Sequence, residues 1–258
     1  MKLSLILVIA STLILAFSPT GIRPSQTYQV QYENVLGTSL ELKIAAASED
    51  LAATVEQASL EEIDRLEAIL STYQPASEIS RWQSTLHTDI LVSPELFEVL
   101  SLFDDWQVKT GGALNASAAV ASSLWKRATV DQTLPGAAEL ASAVAAMNRP
   151  HWELNKEKRT ARHLSTEPLV LNSFVKSYII SKVSKLIMSR PGVSGVTLNI
   201  GGDIVVAGNR QELIQVSNPL ADAENNQSVS TLSISNKAVA TSGNYRRGFE
   251  IGDQWFSH

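Results

Sequence analysis

The chain reads as an α+β protein whose mixed, largely antiparallel sheet carries packed helices. Three observations point there. The strand-like runs are short, numerous and turn-linked; the helical runs do not alternate regularly with them; and no segment repeats. With 44% hydrophobic and 18% charged residues, 258 residues can bury one large core or two modest ones, so disorder is not the default.

Each element has its own local reason. Between Thr27 and Ile44, Tyr28, Val30 and Tyr32 alternate on one side of Gly37 and Leu40, Leu42 and Ile44 on the other, which predicts a strand pair. Ser48 is placed to cap a helix reaching Leu70, with Glu49 and Asp50 in its first turn and Val55, Ile63, Leu66 and Leu70 on one face. Ser93-Pro94-Glu95 starts a second helix that buries Leu96, Val99, Leu100, Phe103 and Trp106, with Gly111 as its stop. Pro135 to Asn148 carries Leu140, Val144 and Met147 at helical spacing. A further helix runs from about Ser173 to Arg190 and presents Tyr178, Ile179, Val183, Leu186 and Ile187 before Pro191-Gly192 closes it. The period then changes to β. Val196–Ile200 and Ile204–Ala207 flank Gly201-Gly202-Asp203, followed by Thr231–Ile234, Ala238–Ala240 and Phe249–Ile251, with Gly252-Asp253 turning into a last strand from Gln254 to His258.

Composition narrows the partners. A net charge of −5 without a basic run argues against nucleic acid, which rewards a positive face that displaces counterions. Residues 1–25 read as a signal peptide or short anchor. Lys2 precedes an apolar stretch from Leu3 to Phe17 that, at about 1.5 Å per residue, falls short of the ~30 Å hydrocarbon core. Ala16-Phe17-Ser18 offers small residues for cleavage, but Pro19 would follow the cut, so retention at the inner membrane stays open. The expected location is the periplasm or cell envelope. The chain has no cysteine, so neither a lipidated cysteine nor a disulfide is available.

The chemistry of the chain is concentrated in a few turns. No Gly-x-Gly-x-x-Gly, Walker loop or Gly-x-Ser-x-Gly elbow is present. His87, His151, His163 and His258 are too scattered for a zinc pattern, which leaves oxygen ligands as the plausible metal chemistry. Ala240-Thr241-Ser242-Gly243-Asn244-Tyr245-Arg246-Arg247 gathers hydroxyls, a permissive glycine and two guanidinium groups, which together suit phosphate oxygens.

Separated motifs stand in a distinctive order: Leu36-Gly37-Thr38, Leu70-Ser71-Thr72-Tyr73 with Ser77-Glu78-Ile79-Ser80, Thr110-Gly111-Gly112-Ala113-Leu114-Asn115-Ala116-Ser117, and Leu124-Trp125. Lys176 follows at a helix start, then Asn199-Ile200-Gly201-Gly202-Asp203, Ala240 to Tyr245 and Ser257-His258. From about residue 28 to 258 this order resembles the ApbE family, the FAD:protein FMN transferases of bacterial envelopes. The resemblance implies an ApbE-like, T-fold-related domain over residues 26–258. It also implies a Mg2+-dependent enzyme that splits FAD, attaches FMN to a Thr or Ser hydroxyl of a flavoprotein acceptor and releases AMP. Position by position, Leu36, Tyr73, Ala113, Leu114, Asn115, Val170 and Lys176 would lie along FAD, Ser173 would offer its carbonyl to the metal, and His258 would serve as catalytic base.

Simpler roles compete at several of these positions. Tyr73 could cap the first helix, Gly201-Gly202 could be a plain hairpin turn, Arg246 and Arg247 could be solvated, and a terminal His258 could fray. Lys176 against a helix dipole favours a phosphate partner. The pattern also departs from the family. Asn115 stands where Asp is usual, Ser117 where Thr is, Val170-Leu171-Asn172-Ser173 where an Asp-Leu-Gly-Gly-like run is, and Ser177 and Ser181 where Gly and Asp are. The family also continues past its Ser-His with an Asp and a Thr that complete the metal site, so the chain reads as C-terminally shortened, with weak magnesium binding, little transfer and an unpaired Trp255-Phe256 edge expected of it. The alternatives are a degenerate FAD-binding scaffold without turnover and an unrelated solute-binding module of the envelope.

Overall fold

Alternation decides the first strands of the computed structural model, which describes residues 25–218, 228–242 and 248–257. β1 (Gln26–Val35) and β2 (Thr38–Ala46) pair antiparallel, with Tyr28 opposite Ile44, Val30 opposite Leu42 and Tyr32 opposite Leu40. The long signal-like segment, the run Gly243-Asn244-Tyr245-Arg246-Arg247 and His258 lie outside the described residues.

The main sheet adds β6 (Val193–Ile200), β7 (Asp203–Gly208) and β10 (Lys237–Val239) in the order β1-β2-β6-β7-β10, every neighbouring pair antiparallel. Leu40, Leu42 and Ile44 of β2 and Val196, Leu198 and Ile200 of β6 are buried on one face. That face is covered by α1 (Glu49–Leu70), which packs on β2, and α6 (Asn172–Met188), which packs on β6 and β7. The periodicity explains the match: Val55, Ile63, Leu66 and Leu70 of α1 and Ile179, Val183 and Ile187 of α6 are at most 2% exposed, and each fully buried aliphatic side chain contributes about 1.5–3 kcal/mol. Ser48 caps α1 by accepting the Leu51 N–H at 3.3 Å.

α3 (Pro94–Lys109) packs against α1 and α6. Ser93 caps its start. At its end the N–H groups of Gly111 and Gly112 return to the carbonyls of Val108 and Gln107, and Gly111 takes φ 60°, a left-handed turn that glycine adopts without a Cβ penalty. Leu96, Val99, Leu100 and Phe103 are buried as the spacing predicts, but Trp106 is 42% exposed and leans on Phe174 of α6, because the helix runs past the core in its last turn. α5 (Ala137–Met147) forms where expected, yet none of its residues is buried; it pairs with its neighbour α4 (Ala119–Asp131) and leaves Leu140 and Val144 exposed.

Six elements have no expectation behind them: α2 (Glu78–Gln83), β3 (Asp89–Leu91), α4, β4 (Trp152–Asn155), β5 (Thr160–His163) and β8 (Glu212–Ser217). Two of their boundaries carry unusual punctuation. α4 begins without a side-chain cap and ends on Gln132 in the left-handed region, and the β4–β5 turn closes on Arg159 at φ 49°, so neither boundary carries the glycine that marks such sites. β3, β5 and β4 form a separate three-stranded sheet. It is held to the body by the buried Trp82 of α2, whose indole N–H donates to the Ala161 carbonyl at 3.1 Å.

Two hairpins complete the described fold. β8 pairs with β9 (Ser228–Ile234), and the start of β8 is tied to the sheet through the half-buried Glu212, which accepts from Arg210 and Thr197 and lies 3.3 Å from Lys43. Burial opposes the Glu212 charge, but those donors and cations hold its carboxyl below the usual range. β11 (Gly248–Ile251) and β12 (Gln254–Ser257) turn through Gly252-Asp253. Among the described residues β12 pairs with β11 alone, so no further strand lies along its other edge, as expected; Phe256 lies 5.2 Å from the Trp125 ring of α4, and the Trp255 ring, 52% exposed, rests beside Gly248.

Candidate functional site

The site is assembled from turns at one end of the sheet. At the β1–β2 turn Leu36 and Gly37 take φ 51° and 74°, and Leu36 is half-buried against the core. The β6–β7 turn lies beside it, since β2 and β6 are adjacent and antiparallel with Leu40 opposite Ile200. The Gly201 N–H donates to the Ser39 carbonyl at 3.0 Å, and Gly202 donates to Asn199 Oδ1 at 3.0 Å. Gly201 sits at φ 58°, and a Cβ there would be 2.6 Å from Thr38 Oγ1, so the two turns touch where only a glycine fits.

Asp203 leaves this turn toward α6, and its Oδ2 lies 3.5 Å from Lys176 Nζ. The helix starts at Asn172, one residue earlier than expected, so Lys176 stands a full turn in, where the end of the dipole reaches it less and Asp203 neutralises it. Leu171, at the N-cap position, is buried and has no side-chain acceptor; Asn172 and Ser173 are exposed beside it.

Two further loops converge on this helix start. Tyr73, 80% exposed, does not cap α1, a place taken by Ser71; its hydroxyl accepts a 2.7 Å hydrogen bond from Asn172 Nδ2. The Val170 N–H donates to the Ala116 carbonyl at 2.7 Å and fastens the segment Ala113 to Ser117 alongside. Ala113 is exposed and Leu114 half-buried. Asn115 is turned inward: its Oδ1 accepts from the Ser117 N–H and Oγ at 2.9 and 2.8 Å, and its Nδ2 donates to the Met147 carbonyl at 2.9 Å. Its side chain therefore builds the loop.

Leu36, Tyr73, Ala113, Leu114, Asn115, Val170, Ser173 and Lys176, dispersed in sequence, thus sit on contacting turns around one helix start. Thr241 and Ser242 are exposed, and the rest of their motif and His258 lie outside the described residues. Asn172 and Asp203 contact the predicted residues Tyr73 and Lys176 but were not themselves predicted for the site. Asp203 had a signal in its turn motif; Asn172 showed only as a departure within its segment.

The remaining described histidines lie elsewhere. His151 contacts Ser165 Oγ at 2.7 Å and the Met147 carbonyl at 3.1 Å, while His163 meets the Thr85 carbonyl at 3.1 Å and packs 5.0 Å from Trp82. Among the described residues no group of three or more His, Asp or Glu side chains stands together to hold a metal ion. The expected carbonyl donor of Ser173 is not free: as the second residue of α6 its carbonyl points along the helix toward the Ser177 N–H, which leaves the exposed hydroxyl as one oxygen donor that does not enclose a cation.

The model of the ApbE family matches residues 36–258. The chain belongs to the ApbE family. Proteins named FAD:protein FMN transferase share its sequence. One from Klebsiella pneumoniae is 25% identical over 226 residues, covering 86% of this chain and 68% of the relative, and one from Haemophilus influenzae is 26% identical over 252 residues, covering 93% and 69%. The fold is shared with the ApbE protein of Thermotoga maritima (TM-score 0.73, 19% identity, 90% of this chain and 75% of that one). It is shared too with the flavinyl transferase ApbE of Pseudomonas stutzeri in its apo form (TM-score 0.70, 17% identity, 92% and 75%). The α+β class with antiparallel sheets and packed helices is therefore the ApbE fold.

Proposed function

We propose that this ApbE family member is a FAD:protein FMN transferase of the cell envelope, moving FMN from FAD to a Thr or Ser hydroxyl of a flavoprotein acceptor. The observation that carries the reading is the convergence of Tyr73, the Ala113 to Asn115 loop, Val170 and Lys176 on the start of α6. A helix start without a side-chain cap leaves N–H groups free for phosphate oxygens, while Lys176, one turn along, would have to exchange Asp203 for a phosphate to serve as a cation there. Tyr73 supplies an exposed aromatic face for the flavin ring.

In this reading the acceptor hydroxyl oxygen bonds to the FMN phosphorus, the diphosphate P–O bond breaks, AMP departs with the bond electrons, and His258 takes the hydroxyl proton. Mg2+ would be held by Ser173 together with diphosphate oxygens and would neutralise charge developing there. The protein's own part is to order the flavin at Tyr73 and the phosphates at α6, so that attack meets a positioned phosphorus. Lys2 and the apolar run Leu3 to Phe17 support export, with cleavage or inner-membrane anchoring as its outcome. Among the described residues, no helix is long and apolar enough to cross a membrane.

The test is mass spectrometry of a flavoprotein acceptor after incubation of the full-length protein with FAD and Mg2+. A low level of FMN adduct on a Thr or Ser is expected, in keeping with neutral Asn115 and Val170, and FAD binding should weaken measurably in Tyr73→Ala by flavin fluorescence. Absence of any adduct overturns the transferase reading. FAD binding without an adduct supports the second reading, a scaffold that holds FAD without turnover, which is favoured by neutral Asn115 and Val170 where the family usually carries acids.

A further inference from the structure

An exposed tyrosine is ordinarily a loose one. Tyr73 projects from the loop between α1 and α2 with 80% of its surface open, so packing does little to choose among its rotamers. What holds it is polar: the Asn172 amide reaches across from the first turn of α6 and donates to the phenol oxygen at 2.7 Å. The same bond has a second effect. With Leu171 apolar at the N-cap position, Asn172 is the nearest side chain able to fold back onto the first-turn N–H groups, and its amide is engaged with Tyr73 instead.

We propose that Asn172 is a positioning residue for flavin recognition, fixing the Tyr73 ring above the α6 start so that an isoalloxazine stacks on a ring already ordered. This rests on the flavin-binding reading of the site. Pre-ordering one rotamer-rich side chain improves affinity by roughly three- to tenfold, because the ligand no longer bears that loss of freedom. Only the flavin half of the ligand feels it. The adenosine diphosphate half, held through phosphates, does not depend on where the Tyr73 ring stands.

The experiment is a double-mutant cycle on the full chain, with FAD affinity by flavin fluorescence and ADP affinity by calorimetry for wild type, Asn172→Ala, Tyr73→Phe and the double variant. Thermal melts establish that each variant folds; both side chains are exposed at the site. The expected result is a three- to tenfold loss of FAD affinity in each single variant, no further loss in the double variant, and unchanged ADP affinity throughout. Additive losses, or FAD affinity unmoved by Asn172→Ala while Tyr73→Ala lowers it, overturn the positioning role and leave the flavin site standing. A parallel fall in ADP affinity shows that Asn172 acts on the helix start itself and also overturns it. Failure of the wild type to bind FAD sinks the underlying reading as well, which separates the two failures.

Discussion

Replacing Gly201 by alanine should disturb the site by pushing apart the two turns that build it. Two costs follow from the geometry. Gly201 sits at φ 58°, where an L-residue is disfavoured by about 1–2 kcal/mol. The new methyl would also lie 2.6 Å from Thr38 Oγ1 and 2.7 Å from its Cγ2, and relieving such an overlap against a stiff β-branched side chain costs about 1–3 kcal/mol. Together Gly201→Ala should lose about 2–5 kcal/mol, with a fall in Tm of about 2–4 °C for each kcal/mol in a domain of this size. The clash component belongs to Thr38 alone. In a Thr38→Ala background the two shortest contacts vanish and the nearest remaining atom is the residue-38 Cβ at 3.1 Å, so Gly201→Ala should there cost only the backbone part. Urea unfolding of the four proteins gives the coupling directly. Equal costs of Gly201→Ala in both backgrounds would refute the claimed contact between the turns.

Three other expectations follow, two from buried polar groups and one from an aromatic contact. Asn115→Asp, which restores the family's usual residue, should destabilise by about 1–3 kcal/mol at neutral pH, because a carboxylate oxygen would then face the Met147 carbonyl where an amide now donates. That Asp should titrate above its unfolded value, so stability is retained below the unfolded pKa and lost as pH rises through the folded one; urea midpoints against pH test it, and a flat profile counts against the reasoning. His163 is held below the usual histidine range first by burial, and its Nε2 has no partner among the described residues. Its folded pKa is depressed, so the stability it supports is full above about 6.5 and declines as pH falls toward the folded value, a slope that should flatten in His163→Gln. Trp125→Ala should free the β11–β12 hairpin, since Trp125 lies 5.9 Å from Phe249 and 5.2 Å from Phe256 and each aromatic pair is worth about 0.5–1.5 kcal/mol; hydrogen exchange should rise in 248–257 while the central sheet keeps its protection.

What the sequence determined by itself is whatever a local period or cap encodes. The triplets Tyr28-Val30-Tyr32 and Leu40-Leu42-Ile44 give the first hairpin its register, because a shift of one residue would turn every apolar side chain to the wrong face. Ser48, Ser93 and Gly111 mark helix ends because each satisfies backbone groups that the helix leaves open. The order of the site motifs, and with it the family, was also legible. Tertiary structure decided the rest, since contacts between residues far apart leave no period. Trp106 and the apolar positions of α5 look like core in helical spacing, but whether a face is buried depends on what packs there. The inward turn of Asn115 depends on a carbonyl of Met147, the neutralisation of Lys176 on Asp203, and the setting of Tyr73 on Asn172, which stands 99 residues away along the chain. Each is a single polar contact between distant segments, and only a completed fold brings such partners within hydrogen-bond reach.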